Sequence, residues 1–233
     1  MASDIISIAL PRDELNRNLG GGIPSNSLVL IEGPDGAGKS VLSQRFCYAF
    51  LENGKTVTYI STELNTKDFL AQMKSLDYDV KFYLLEGKLL FIPMFPFIGN
   101  SKLADNFLDK LFQSTQLFEN EIIIIDTLSF LLVSDKLSES KAFDVMNILK
   151  KLTSLNKTIF ISVDPMHVNK QFLTLLRSVA DIYLSLELKE FAGGIVRIIN
   201  INRFKRPADT FIPAIPFKVE PGKGLIIEIA SFD

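Results

Sequence analysis

The run Gly33-Pro-Asp-Gly-Ala-Gly-Lys-Ser40 lies directly behind the apolar stretch Leu28–Ile31 and directly ahead of a segment with helical periodicity. No other feature limits the possible folds so strongly. The pattern G-x-x-x-x-G-K-S, placed after a strand and before a helix, calls for a strand–loop–helix unit whose loop wraps an anion. Gly33, Gly36 and Gly38 permit backbone angles and close approaches that a Cβ would block. Successive N–H groups then turn inward as an anion nest. The helix that starts near Lys39 adds its positive end, and Lys39 adds a full charge. Ser40 is placed to offer its hydroxyl to Mg²⁺ between β- and γ-phosphates. A plain glycine-rich turn is the competing explanation, but such turns seldom carry Lys-Ser at the helix start with a strand in front. The expectation is a nucleoside triphosphate held by Gly33, Asp35, Gly36, Ala37, Gly38, Lys39, Ser40 and Val41.

The rest of the chain alternates strand and helix patterns. Lys39–Glu52 reads as a helix stopped at Asn53-Gly54, where glycine suits the position after the cap. Lys55–Ser61 is β-branched and aromatic, hence a strand, and Thr66 is the expected cap of a helix through Leu70, Met73 and Leu76. Phe82 to Ile98 reads as a β-hairpin with Glu86-Gly87-Lys88 as its turn. Residues 101–118 place Leu103, Phe107, Leu111 and Phe118 at helical spacing. Four consecutive isoleucines in Glu121–Asp126 mark a strand covered on both faces, and so a parallel sheet. An amphipathic helix over 138–153, a buried strand over 158–163 and a helix near 170–178 follow. From Asp181 onward the pattern changes to antiparallel meanders: 181–189, a Gly193-Gly194 turn, 195–201, and strands around 217–219 and 225–229 joined by Gly222-Lys-Gly224. Parallel β–α units closed by antiparallel strands, with no linker or repeat, predict one doubly wound α/β domain over residues 1–233.

Composition narrows the function. With 233 residues, 47% of them hydrophobic, the chain can bury a full core. A net charge of −2 argues against a general nucleic-acid surface, which is normally basic. The single cysteine, Cys47, rules out an intramolecular disulfide framework and lies on an apolar helical stripe, as a buried structural thiol would. The lone His167 has no cysteine or second histidine near it in the sequence, so a metal site has little support. Ile5–Leu10 lacks the basic flank of a signal peptide. No stretch reaches the length of apolar sequence that a membrane span needs, so direct membrane insertion is not expected.

A phosphate loop needs a partner to hold its metal. Asp126 ends the isoleucine strand, at the carboxyl end where ligands bind in open α/β sheets, and can order Mg²⁺ together with Ser40. Capping of the next helix is the competing role for such an aspartate. Glu63, in Ser61-Thr-Glu63 just after a strand, is the candidate base that orients a water; its carboxylate emerges beside the loop if the two strands share a sheet edge. An exposed loop acid is its plain alternative. Arg203, Lys205 and Arg206 form a basic cluster, either a solvated strand end or trans-acting charges that reach a neighbouring subunit's γ-phosphate.

These residues resemble a family. Asp13-Glu-Leu-Asn-Arg-Asn-Leu-Gly-Gly-Gly-Ile-Pro-Ser-Asn-Ser27, leading into Gly33, is similar to the opening of RecA/KaiC-type ATPases. Ile122–Ser129 resembles their metal-binding strand, and Ser61-Thr-Glu63 the place of their catalytic glutamate. The tail from Phe204-Lys-Arg-Pro207 to Pro216-Phe-Lys-Val-Glu-Pro-Gly-Lys-Gly-Leu225 resembles the single-domain KaiC-like ATPases of the archaeal flagellum (archaellum) motor. The resemblance spans essentially the whole chain. It implies a RecA/KaiC-type fold, ATP and Mg²⁺ as ligands, and a cytoplasmic homo-oligomer, a hexameric ring with nucleotide between subunits. It also implies docking on the motor ATPase and the membrane platform, at the inner face of the cell membrane, inside a scaffold ring. Arg203 and Lys205 stand at the family's trans-acting basic pair. Leu64 replaces the second acid usual after the glutamate, and Arg206-Pro207 replaces small residues, so the implied turnover is weak or absent. Two other functions use the same loop: a RecA-type DNA-handling ATPase, for which the segment Phe130–Leu137 is short and carries one lysine, and a KaiC-like autokinase.

Overall fold

The computed structural model describes residues 4–94, 114–129, 139–191 and 194–228. Isoleucine alternation explains its centre. In β6 (Ile122–Asp126), Ile122 and Ile124 join one apolar cluster, while Ile123 and Ile125 join another on the opposite face. Successive side chains of a strand point to opposite faces, so an unbroken apolar run requires cover on both. The cover on the first face is α2 (Lys39–Glu52) and α3 (Thr66–Ser75), through Phe46, Phe50 and Phe69. On the second it is α5 (Glu139–Ser154) and α6 (Lys170–Val179), through Leu149 and Phe172. Phe143, placed on the apolar stripe of α5 by its spacing, is instead 55% exposed.

The remaining strands are β3 (Leu28–Glu32), β4 (Val57–Ser61), β5 (Leu89–Pro93), β7 (Thr158–Val163), β8 (Ile182–Phe191), β9 (Gly194–Phe204), β10 (Ala214–Glu220) and β11 (Gly224–Ile227). Together with β6 they make one sheet among the described residues, in the order β11-β10-β9-β8-β3-β7-β6-β4-β5. From β8 to β5 every pairing is parallel, and β8-β9, β9-β10 and β10-β11 are antiparallel. A separate ribbon pairs β1 (Ile5–Ile6) with β2 (Ile23–Pro24), on either side of the short helix α1 (Leu15–Asn18).

Three expectations change. The segment read as a hairpin over 82–98 is a helix followed by a parallel strand: α4 (Lys81–Leu85) leads to β5, which pairs with β4. Gly87, at φ 71°, stops that helix and does not turn a hairpin, and Tyr83 and Leu84 pack on the core from it. The strand read into the meander at 181–189 is β8, which joins the parallel set through β3 and opens the antiparallel set only on its other edge. The cap of α3 is Asn65, whose side chain accepts the Asp68 N–H at 3.0 Å, and not Thr66. Of the helix expected over 101–118, residues 101–113 lie outside the described residues and Thr115–Phe118 form a 3-10 turn. The segment Phe130–Leu137 and the Gly193 half of the Gly193-Gly194 turn lie outside them as well.

This order sets the carboxyl ends of β3, β7, β6 and β4 side by side along one rim of the sheet.

Candidate nucleotide-binding site

The loop after β3 reaches α2 through Gly36 at φ 75° and Gly38 at φ 97°. Gly38 is bound by two constraints at once. Its backbone is left-handed, and a Cβ there would lie 3.0 Å from Cζ of Phe217 on β10. Lys39 opens α2 and is only 7% exposed. Its Nζ donates to the Pro34 carbonyl at 2.9 Å and stands 3.7 Å from both Asp35 Oδ1 and Asp164 Oδ2. The ammonium is thus drawn back over the loop. Further along α2, Cys47 is fully buried, and burial pushes its thiol far up, which leaves no thiolate for chemistry.

Asp126, at the end of β6, is 3% exposed and gathers three hydroxyls. Ser40 Oγ and Ser162 Oγ donate to Oδ1 at 3.2 and 2.6 Å, and Tyr59 Oη donates to Oδ2 at 2.7 Å. Burial, and then the Asp126 charge, push the Tyr59 hydroxyl well up, so it stays a proton donor to the carboxylate. The Ser40–Asp126 pair is a hard-oxygen donor set of the kind Mg²⁺ takes. No group of three or more His, Cys, Asp or Glu capable of holding a metal occurs among the described residues. That also suits Mg²⁺, which is usually bound by one or two carboxylates, water and substrate phosphates.

Glu63 reaches the cleft by an unexpected route. Its strand β4 does not adjoin β3, since β7 and β6 lie between them. The turn after β4 is held by Thr62 N–H to the Asp126 carbonyl at 2.9 Å and by Leu64 N–H to Ser61 Oγ at 3.1 Å. Glu63 thereby lines the same cleft as Lys39 and Ser40, a space of about 280 Å³. Partial burial raises the Glu63 pKa, the Asp126 charge raises it further, and Lys39 opposes both.

The basic cluster lies elsewhere. Arg203 donates to the carbonyls of Arg177 and Ala180 at the end of α6, Lys205 to Asp181 Oδ1 at 3.2 Å, and Arg206 to Ser27 Oγ at 3.1 Å. Ser27 precedes β3 and Asp181 precedes β8, so these cations stand at the rim opposite the phosphate loop. The sequence did not single out three further residues at the site: Arg197 and Val219, which line the cleft, and Asp164, which stands 3.7 Å from Lys39 Nζ. Asp164 directly follows β7, much as Asp126 ends β6, and the same strand-end rule would have found it. Arg197 and Val219 come from β9 and β10, and nothing in their local sequence marks them.

A family model described as ATPase: KaiC matches residues 13–230. The chain belongs to the KaiC-type ATPases. It is 40% identical to the archaeal flagellar ATP-binding protein FlaH of Methanocaldococcus jannaschii over 98% of this chain and 97% of that one. It is 33% identical to FlaH of Sulfolobus acidocaldarius over 94% of this chain and 95% of that one. Within the KaiC-type ATPases it therefore groups with the FlaH proteins. The crystal structure of the flagellar accessory protein FlaH from M. jannaschii superposes with a TM-score of 0.93 at 39% identity, over 97% of this chain and all of that one. A KaiC-like protein of Pyrococcus horikoshii, 19% identical with a TM-score of 0.76 over 97% of this chain and all of that one, shares the fold. The RecA/KaiC-type architecture that the resemblance implied is thus the architecture found.

Proposed function

We propose that this chain is an ATP-binding regulatory subunit of an archaellum motor, built as one domain over residues 1–233, with slow turnover. One observation carries the nucleotide: the glycine loop, Lys39 over its mouth and the Ser40–Asp126 couple converge on a single cleft. Loop N–H groups and Lys39 would bind the phosphates, and Ser40 with Asp126 would hold Mg²⁺. The metal would supply charge neutralisation across the β- and γ-phosphate oxygens. Glu63 would orient the attacking water and accept its proton. Leu64, where a second acid is usual, packs against the core, which supports weak hydrolysis.

The relatives' name, archaeal flagellar ATP-binding protein, supports a place in the archaellum; the proposal puts the chain in the cytoplasm, held at the membrane through partners. No helix among the described residues is long and apolar enough to cross a membrane. Arg203 and Lys205 face away from their own loop, as charges acting in trans would, and the ring would dock on the motor ATPase and the membrane platform.

The test is thermal. At an ATP concentration of 100 Kd, the parent gains roughly 2.7 kcal/mol of stability, and Lys39→Ala loses that gain. An unchanged shift in the variant would remove the loop as the site. Failure of the parent to capture the motor ATPase, with and without ATP, would remove the motor assignment.

A further inference from the structure

The Lys39 ammonium has protein partners of its own. It is nearly buried, and its Nζ donates to the Pro34 carbonyl at 2.9 Å. Two carboxylates flank it at 3.7 Å, and they differ in kind. The Asp35 side chain is 85% exposed, so water screens its charge and the pair contributes little. The Asp164 side chain is 4% exposed, so its attraction for the ammonium is screened far less. The turn after β7 fixes that carboxylate. Met166 N–H donates to Asp164 Oδ1 at 2.8 Å and His167 N–H to the Asp164 carbonyl at 3.1 Å, while Oδ2 is the oxygen nearest Lys39. Asp164 N–H in turn donates to Ser129 Oγ at 3.3 Å. Among the described residues, Asp35, Glu63, Asp126 and Asp164 outnumber the cations Lys39 and Arg197 at the cleft, a poor balance for an anionic ligand.

A triphosphate must therefore take Lys39 from a carboxylate. We propose that Asp164 is a positioning residue of this site, which holds the Lys39 ammonium back from the phosphate tail and so sets how tightly nucleotide is kept. This rests on the assignment of the loop as an ATP site. The lysine of such a loop reaches the β- and γ-phosphates. To do so here, Nζ leaves a buried ion pair, and separating such a pair strands the other charge in the interior. The observed affinity is then the intrinsic affinity reduced by the fraction of molecules whose ammonium is free. Met166 N–H stays on Asp164 Oδ1, so the carboxylate keeps one donor after the exchange. A subunit with slow turnover resets by letting its nucleotide go intact. A buried carboxylate beside Lys39 favours that release, and affinity differences of this kind reside mostly in the dissociation rate.

Titration of ATP and of inorganic tripolyphosphate, each with Mg²⁺ present, tests the exchange. Asp164→Asn keeps an oxygen acceptor for Met166 N–H and loses the charge. It is expected to bind both ligands about tenfold more tightly and to release ATP about tenfold more slowly. Asp164→Ser, whose hydroxyl also accepts an N–H, is expected to do the same, and it carries the test if the Asn variant does not fold. In a Lys39→Ala background, titrated to higher ligand concentration, the gain from Asp164→Asn is expected to vanish. An equal gain in that background would reduce Asp164 to plain repulsion of the phosphates and overturn its hold on Lys39. Unchanged or weaker ATP binding in Asp164→Asn, with Lys39→Ala still weakening it, would overturn this proposal alone. A parent protein that binds neither ligand would overturn the ATP assignment with it.

Discussion

Glu63 shows how one side chain's environment bears on both chemistry and stability. Its raised pKa means that the folded protein binds that proton more tightly than the unfolded chain does. The stabilisation is complete below the unfolded value near 4.5 and is lost as pH rises through the folded value. At neutral pH the ionised carboxylate is therefore a small cost to the fold, kept small because the partly buried side chain still reaches solvent at the cleft mouth. Glu63→Gln should accordingly melt no lower than the parent at pH 8, with any gap closing as pH falls toward 4.5. ATP affinity should hold, while any turnover drops about 10²- to 10⁴-fold if the carboxylate is the base. Phosphate-release assays on both proteins check this, and equal rates would make Glu63 a bystander. Asp126 belongs to a different class of residue. Three donated hydroxyls hold its two oxygens in place, the kind of support that would keep a metal ligand oriented if it has that role.

Among the elements, the edge strand β11 depends on a tyrosine from the far side of the chain. Tyr78, just after α3, is fully buried and stacks on Tyr48 of α2 with ring centroids 5.1 Å apart. Its hydroxyl accepts the Leu225 N–H at 2.9 Å. One side chain thus joins α2, the segment after α3 and the last strand. Tyr78→Phe would strip a buried N–H of that acceptor while leaving the packing nearly intact. Urea unfolding should show a loss of roughly 1–3 kcal/mol, with an unchanged m-value. No measurable loss would show that Leu225 finds another acceptor. Local pattern could not have exposed this contact, because Tyr78 and Leu225 are 147 positions apart. The hairpin expected around Gly87 failed for a related reason. Glycine at φ 71° serves equally well to stop a helix or to turn a hairpin, and only the free edge of β4 selects a parallel strand after it.

For the molecule as a whole, the two rims of the sheet gather different groups. The phosphate loop, Asp126, Asp164 and Glu63 gather at the carboxyl rim, whereas Lys205 and Arg203 stand at the amino rim. A single copy cannot bring Lys205 to its own loop without dismantling the sheet between them, so a catalytic role requires a second copy. Lys205 is half exposed and its pair with Asp181 lies at the surface, where such pairs contribute little, so Lys205→Ala should fold normally. If it acts in trans, Lys205→Ala and Lys39→Ala are each slow alone, and mixing them restores part of the turnover by pairing an intact loop with an intact lysine. Parent-level turnover by Lys205→Ala alone would end that role.

The glycine loop between β3 and α2, the buried aspartate that ends β6 and the buried Cys47 were all legible from adjacent residues. Eight consecutive positions carry the loop's chemistry, and an apolar run ending in aspartate is a local pattern whose meaning survives in any parallel sheet. The alternation of Ile122 to Ile125 between two covered faces follows from strand geometry alone. The pairing of β5 with β4, the arrival of Glu63 despite two intervening strands, and the wall made by Arg197 and Val219 were not legible. Each depends on which strands become neighbours and in what register, and that choice is made by the total burial available to the whole chain. A strand's own residues carry no record of the partner they will meet.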